Sequence, residues 1–228
     1  MTIAPLLEGF KCYLETFRKF TLLTLPIFIL LGLLASSGDI YLSDENFFTW
    51  GILLFIFTNL FITPFLTSFC ILIVYDLQKD NLKESLGYYL VSFQLILKVL
   101  LLTLATGLVV IGGLLLFIVP GMYLASRLLY SPYYLILDGK TVLGSLDASW
   151  QATKNNQRGY IFYLIYYWLA LILITFFTLS IISAFAISSE ANSSLFFTNS
   201  IANAFLSYAQ LVLISYPLLF VYKNTKTS

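Results

Sequence analysis

Long apolar stretches alternate with short polar ones along the chain, and this pattern predicts six membrane spans. The apolar stretches cover residues 20–37, 47–75, 96–119, 122–137, 160–187 and 199–222. A transmembrane helix needs about 20 predominantly apolar residues. The second stretch exceeds that length and contains Pro64, which predicts a tilt or a kink there. The chain is therefore predicted to be all-α, a polytopic bundle of transmembrane helices that forms one integral membrane domain over residues 1–228.

Three segments with amphipathic helical spacing precede the outward-going spans, at residues 3–20, 79–93 and 140–158. In the first, Leu7, Leu14 and Phe17 share one face, and Glu8 and Lys11 lie away from it. Helices of this kind lie in the membrane interface. A unit of interfacial helix, span and returning span recurs near 3–75, 79–137 and 140–222, which predicts a threefold repeat. All copies share one orientation, so an axis along the membrane normal would relate them.

Polar side chains follow one helical face in two of the returning spans. They are Asn59, Thr63 and Thr67 in the second span, and Asn199, Asn203, Ser207 and Gln210 in the sixth. Hydrocarbon cannot satisfy their hydrogen bonds, so these polar stripes are expected to face the inside of the bundle. Two interpretations stay open. The side chains join neighbouring helices, at about 0.6–2 kcal/mol per contact, or they line a polar groove between spans two, four and six.

Arg127 is the one charged residue well inside a predicted span. Its burial costs about 2.5–3.5 kcal/mol on insertion scales. It follows Gly121 by six residues and so lies roughly 9 Å from the outer end of its helix, a distance that a long arginine can cover by snorkelling. The alternative is that its guanidinium binds the phosphate or carboxylate of an anionic ligand or lipid headgroup.

The composition excludes several classes of function. The chain is 60% apolar and 10% charged, and its net charge of +1 argues against a nucleic-acid partner. It contains no histidine, which excludes His-based catalysis and most zinc sites. Cys12 and Cys70 lack a metal or redox spacing and are not expected to form a disulfide. We expect no catalytic residue, metal or cofactor, and we expect membrane lipids and other inner-membrane proteins as partners.

A further motif lies between residues 114 and 159. It consists of Val119-Pro120-Gly121, then Pro132, then Ser145, Ser149 and Thr153 at four-residue spacing. Pro120 and Gly121 predict a tight turn between two spans, and the small Ser and Thr residues are expected to let the third amphipathic segment pack closely under the spans. This stretch resembles the YciC family of uncharacterised multi-pass proteins of the bacterial inner membrane. More loosely, it is similar to the membrane domain of some glycerophosphodiester phosphodiesterases.

The resemblance implies a location in the bacterial inner membrane and no particular chemistry, because the family has no established activity. We expect a non-enzymatic protein that supports envelope or lipid homeostasis or a membrane complex. The alternative is a small transporter or channel whose polar pathway is lined by spans two, four and six.

The distribution of basic residues predicts the orientation. Eleven of the twelve lysines and arginines lie on one side of the predicted spans or at the span ends on that side, and Arg127 is the exception. Since Lys and Arg in short loops resist translocation, both termini are predicted to be cytoplasmic. Cysteines introduced at Ser43 and Ser193 should therefore react with an impermeant reagent added to intact cells, and one at Ser228 should not. Labelling at Ser228 would overturn this topology.

Overall fold

The computed structural model describes residues 4–40, 56–79, 81–154, 157–188 and 192–227. Within these ranges the chain is helical and contains no β-strand, which confirms the all-α prediction. The helices are α1 (Ala4–Ile40), α2 (Thr63–Leu77), α3 (Ser85–Leu116), α4 (Ile118–Leu128), α5 (Ser131–Leu137), α6 (Val142–Ala152), α7 (Gln157–Ser188), α8 (Asn192–Ser215) and α9 (Pro217–Thr227). A π-helical turn, Thr58–Ile62, precedes α2.

Three helical segments are long and apolar enough to cross a membrane, judged by length and composition. They are Leu60–Leu77, Leu86–Leu116 and Ala204–Lys223, and they lie in the second, third and sixth predicted spans. A shorter apolar segment, Phe162–Thr178, lies in the fifth. The first predicted span lies within α1, where the side chains after Ile29 are outside the described part of the chain. The full set of six spans stays a prediction.

Two of the three predicted interfacial helices are not separate helices. α1 runs without a break from the first amphipathic segment into the first predicted span, and its 37 residues extend over roughly 55 Å. α3 likewise continues from Ser85 to Leu116. Neither contains Gly or Pro at the predicted boundary, so each keeps its i→i−4 hydrogen bonds there. Only the third segment forms its own helix, α6. The three predicted repeat units therefore begin differently, and the repeat stays a prediction.

Helix α2 lies at the centre of the bundle. Ten of its fifteen residues are buried, and Cys70, Ile71 and Val74 among them have no exposed surface. α2 contacts α1, α3, α5 and α8, as expected of a helix that is apolar on nearly all faces. Cys70 and Cys12 are both free thiols.

The first helix packs against the last two through aromatic rings and hydroxyl groups. Thr21 Oγ1 lies 2.8 Å from the hydroxyl of Tyr208, and Thr16 Oγ1 lies 2.8 Å from the hydroxyl of Tyr216. The buried ring of Phe20 lies between them, with its centroid 5.9 Å from that of Tyr208 and 5.3 Å from that of Tyr216. These contacts bring the beginning of the chain to its end.

Helices α3 and α4 form a tight hairpin whose turn lies at Phe117, which has an extended backbone (φ −168°, ψ 160°). The prediction of a turn at Pro120-Gly121 is wrong. Pro120 lies in the first turn of α4, where its missing N–H removes no intrahelical hydrogen bond. Gly121 instead allows the two helices to approach closely, because a Cβ at this position would lie 2.9 Å from the backbone nitrogen of Leu114.

Gly121→Ala is expected to destabilise the protein, since the added Cβ would also lie 2.4 Å from the Leu114 side chain, and overpacking of this kind costs about 1–3 kcal/mol. Gly107→Ala is the matched control, because a Cβ there meets nothing within 4 Å. Thermal unfolding in detergent micelles should give a lower Tm for Gly121→Ala and an equal or higher Tm for Gly107→Ala. A Gly121→Ala protein with the wild-type Tm would contradict the close approach.

Candidate functional site

The fourth predicted span is divided between α4 and α5, which are separated by Leu129 and Tyr130. Pro132 accounts for the break. It has no N–H to donate to the carbonyl of Leu128, and its ring would clash with that carbonyl in a continuous helix. Ser131 replaces the missing donor, because its Oγ donates to the Leu128 oxygen over 2.7 Å. The other carbonyls at the end of α4 still need donors.

Helix α6 supplies a donor from its stripe of small polar residues. Ser149 Oγ donates to the carbonyl oxygen of Arg127 over 2.7 Å, and Thr153 Oγ1 lies 3.4 Å from the same oxygen. Ser145 Oγ donates within α6, to the carbonyl oxygen of Thr141 over 2.7 Å. Ser145, Ser149 and Thr153 all have no exposed surface. The stripe therefore lies in the contact that α6 makes with the broken span.

Two residues after α5 place α6 in this position. Gly139 has a positive φ of 64°, a conformation that glycine adopts without steric cost, and it reverses the chain. Thr141 then caps α6, since its Oγ1 accepts a hydrogen bond from the backbone nitrogen of Gly144 over 3.1 Å. As a result, α6 folds back beside α5 and reaches the end of α4.

The side chain of Arg127 is enclosed by aromatic rings and is only 2% exposed. Its guanidinium carbon lies 4.2 Å from the ring centroid of Trp150 on α6 and 5.7 Å from that of Tyr123 on α4. Its Nε and Nη1 are buried and have no hydrogen-bond partner among the described residues. Asp138, eleven residues further along the same predicted span, accepts a hydrogen bond from the hydroxyl of Tyr222 over 2.8 Å. The guanidinium is thus covered by protein, whereas the snorkelling interpretation places it at an interface.

The polar stripes are only partly described. Thr63 is exposed, and Thr67 is half-buried and donates to the carbonyl of Thr63 over 2.8 Å. Ser207 and Gln210 are half-buried. The side chains of Asn59, Asn199 and Asn203 lie outside the described part of the chain. The hydroxyl of Thr67 therefore donates its hydrogen bond within its own helix, as hydroxyls inside helices commonly do.

A second candidate site is a cavity of about 600 Å³ between the beginning of α1, the end of α2 and α9. Among its lining residues, Cys12, Gln78 and Lys223 are half-buried, and they define its inner part. Burial raises the pKa of the Cys12 thiol and Glu15 raises it further, while Lys223 and Gln78 oppose the shift. The thiol is therefore largely neutral near pH 7.

The sequence contains a weak signal for this cavity. Glu8, Cys12, Glu15 and Lys19 follow the spacing i, i+4, i+7, i+11 and so share one face of α1. That face indicates a polar surface. In the sequence, Lys223 stands out only as one of the basic residues that predict the orientation of the chain. Nothing in the pattern shows that residues more than 200 positions apart line one cavity.

Ser149→Ala is expected to destabilise the protein by about 1–3 kcal/mol, because it leaves the buried Arg127 carbonyl with only the long contact to Thr153. Ser145→Ala is the control in the same helix at equal burial. The Thr141 carbonyl keeps the backbone nitrogen of Ser145 as a donor at 2.8 Å, so this change should cost little. Chemical or thermal unfolding of both variants in micelles measures the difference, and equal losses would refute a specific role for Ser149.

Comparisons with known proteins found no match to this chain among protein-family models, curated proteins or solved structures. The resemblance to the YciC family therefore stays a prediction.

Proposed function

We propose that the chain is a non-enzymatic multi-pass protein of the bacterial inner membrane that binds an anionic lipid headgroup at Arg127 and acts in envelope or lipid homeostasis. The three helices that are long and apolar enough to cross a membrane support the membrane location. The resemblance of residues 114–159 to the YciC family supports the compartment. The lack of histidine supports the absence of a Ser-His or Cys-His catalytic pair.

The observation that carries the proposal is the enclosed guanidinium of Arg127. A buried ion costs several kcal/mol in lost hydration even after the protein relaxes. A desolvated cation–π contact returns about 2 kcal/mol, so the faces of Trp150 and Tyr123 offset only part of that cost. No carboxylate among the described residues forms an ion pair with Arg127. An anion from outside the chain would balance the charge.

The chemistry of the guanidinium favours a phosphate or carboxylate. Its planar N–H groups match two oxygens of such a group at once, and Nε and Nη1 of Arg127 are available for them. Because the side chain is 2% exposed, the half-buried ring of Trp150 must move aside when a headgroup binds. Trp150 thus covers the guanidinium in the unbound protein and bounds the site in the bound one.

Transport has less support from the described residues. Thr67 forms its hydrogen bond within α2, and the described lining of the cavity near α1 includes no residue of the polar stripes. A transport pathway along the stripes would require polar groups that face an open channel.

Arg127→Leu should lose bound anionic lipid, because hydrogen bonds to a charged group contribute about 1.5–3 kcal/mol, which corresponds to about tenfold or more in affinity. Arg127→Lys should retain only part of the bound anionic lipid, since an ammonium cannot form the bidentate pair. Lys98→Leu is the control, because it removes an exposed cation from α3. Mass spectrometry of co-purified lipids, on samples matched by size-exclusion profile, measures the effect. Wild-type levels of anionic lipid in Arg127→Leu would reject the headgroup site.

A further inference from the structure

The cavity between α1, α2 and α9 has an inner part and a rim of different character. Besides Cys12, Gln78 and Lys223, the apolar side chains of Leu77 and Phe220 line the inner part. The rim consists of the exposed side chains Glu8, Lys11, Glu15 and Lys19. The volume of about 600 Å³ lies within the range of small-ligand sites.

The inner part contains a cation without a paired carboxylate. Lys223 is half-buried, and its ammonium donates to Oε1 of Gln78. It also lies 5.9 Å from the ring centroid of Tyr75 and 5.6 Å from that of Phe220. Among the described residues, no carboxylate lies within ion-pair distance of this ammonium; Asp76, the nearest acidic residue along α2, pairs instead with Lys83 at 3.8 Å.

A second cation lies near Lys223. The ammonium of Lys79 lies 4.0 Å from the centroid of the same Tyr75 ring, so two cations share one aromatic side chain. On the rim, the positive charges of the two lysines equal in number the negative charges of the two glutamates. The net positive charge of the cavity therefore resides on its inner side, where Lys223 is.

We propose that this cavity binds a phosphate group, with Lys223 as its charged contact. Gln78 adds a neutral donor, because its Oε1 accepts from Lys223 while its buried Nε2 has no oxygen acceptor among the described residues. The organic part attached to the phosphate lies against Leu77 and Phe220. This site shares no residue with the Arg127 site, so either can fail without the other.

Phosphate can come from two sources, a lipid headgroup or a soluble phosphate ester. The lipid source fits the exposed leucines on another face of α1, Leu7 and Leu14, because they suit a helix in contact with lipid. The soluble source fits the exposed, charged rim. Both sources would place a phosphate group beside Lys223, and the two arms of the experiment below distinguish them.

Cys12 provides a native reporter for the site. It lines the cavity, and the second cysteine of the chain, Cys70, has no exposed surface. The rate of alkylation of Cys12 by N-ethylmaleimide is measured on the full chain in maltoside micelles, which contain no phosphate. Mildly alkaline buffer is needed because burial raises the pKa of this thiol and the thiolate is the reactive form.

Phosphate bound beside Lys223 should slow this alkylation by blocking access to the thiol. Inorganic phosphate at roughly ten times its dissociation constant should slow the rate about tenfold relative to chloride at the same ionic strength. In a second arm, the micelles carry phosphatidylglycerol or, as the phosphate-free comparison, diacylglycerol. Slowing by inorganic phosphate indicates a soluble ligand, and slowing by phosphatidylglycerol alone indicates a headgroup. An unchanged rate in both arms overturns the proposal.

Variants make the test specific to Lys223. Each rate is compared with that of the same variant without phosphate, because Lys223 itself affects the reactivity of Cys12. Lys223→Gln should abolish the protection, whereas Lys223→Arg should keep most of it and so shows that the altered chain still folds. Lys154→Gln removes an exposed cation elsewhere, and phosphate should protect Cys12 of this variant as it does in the wild type. Equal protection in Lys223→Gln and Lys154→Gln would show general screening and overturn the site.

Discussion

Every carbonyl buried in this bundle needs a hydrogen-bond donor, and the break at Pro132 is where that requirement shapes the structure. A continuous helix would satisfy its own carbonyls. Once Pro132 interrupts it, the end of α4 has carbonyls to satisfy, and Ser131 and Ser149 supply hydroxyl donors. Ser149 can do so only if α6 lies against α4. The same docking brings Trp150 over the guanidinium of Arg127, so one proline determines both a backbone contact and the enclosure of a charge.

A second part of the bundle depends on contacts between the beginning and the end of the described chain. The hydroxyl of Thr21 on α1 meets that of Tyr208 on α8, and the hydroxyl of Thr16 meets that of Tyr216, which lies between α8 and α9. The backbones are also close there, since a Cβ on Gly9 would lie 2.7 Å from the Cα of Pro217. This close packing holds α9 beside the first turns of α1 and leaves the cavity that contains Lys223 between them.

The two candidate sites use different cations in ways that match their surroundings. A guanidinium is weakly hydrated and stacks on aromatic faces, and Arg127 is the cation enclosed by Trp150 and Tyr123. An ammonium is strongly hydrated and compact, and Lys223 lies in an open cavity with a polar rim. Both are cations that no described carboxylate pairs.

Composition and periodicity by themselves determined that the chain is helical and apolar enough for a membrane, because 60% apolar content and long uncharged stretches leave few alternatives. They also identified Arg127, Pro132 and the Ser and Thr stripe as unusual positions.

Only the tertiary structure decided where the turns lie and which residues meet. The prediction of a turn at Pro120-Gly121 is wrong because a proline in the first turn of a helix removes no intrahelical hydrogen bond. The predicted boundaries between amphipathic segment and span are absent from α1 and α3 because no residue there interrupts the helical hydrogen bonds. The contacts of Ser149 with Arg127, and of α1 with Lys223, depend on packing between distant segments, which local spacing along a sequence does not encode.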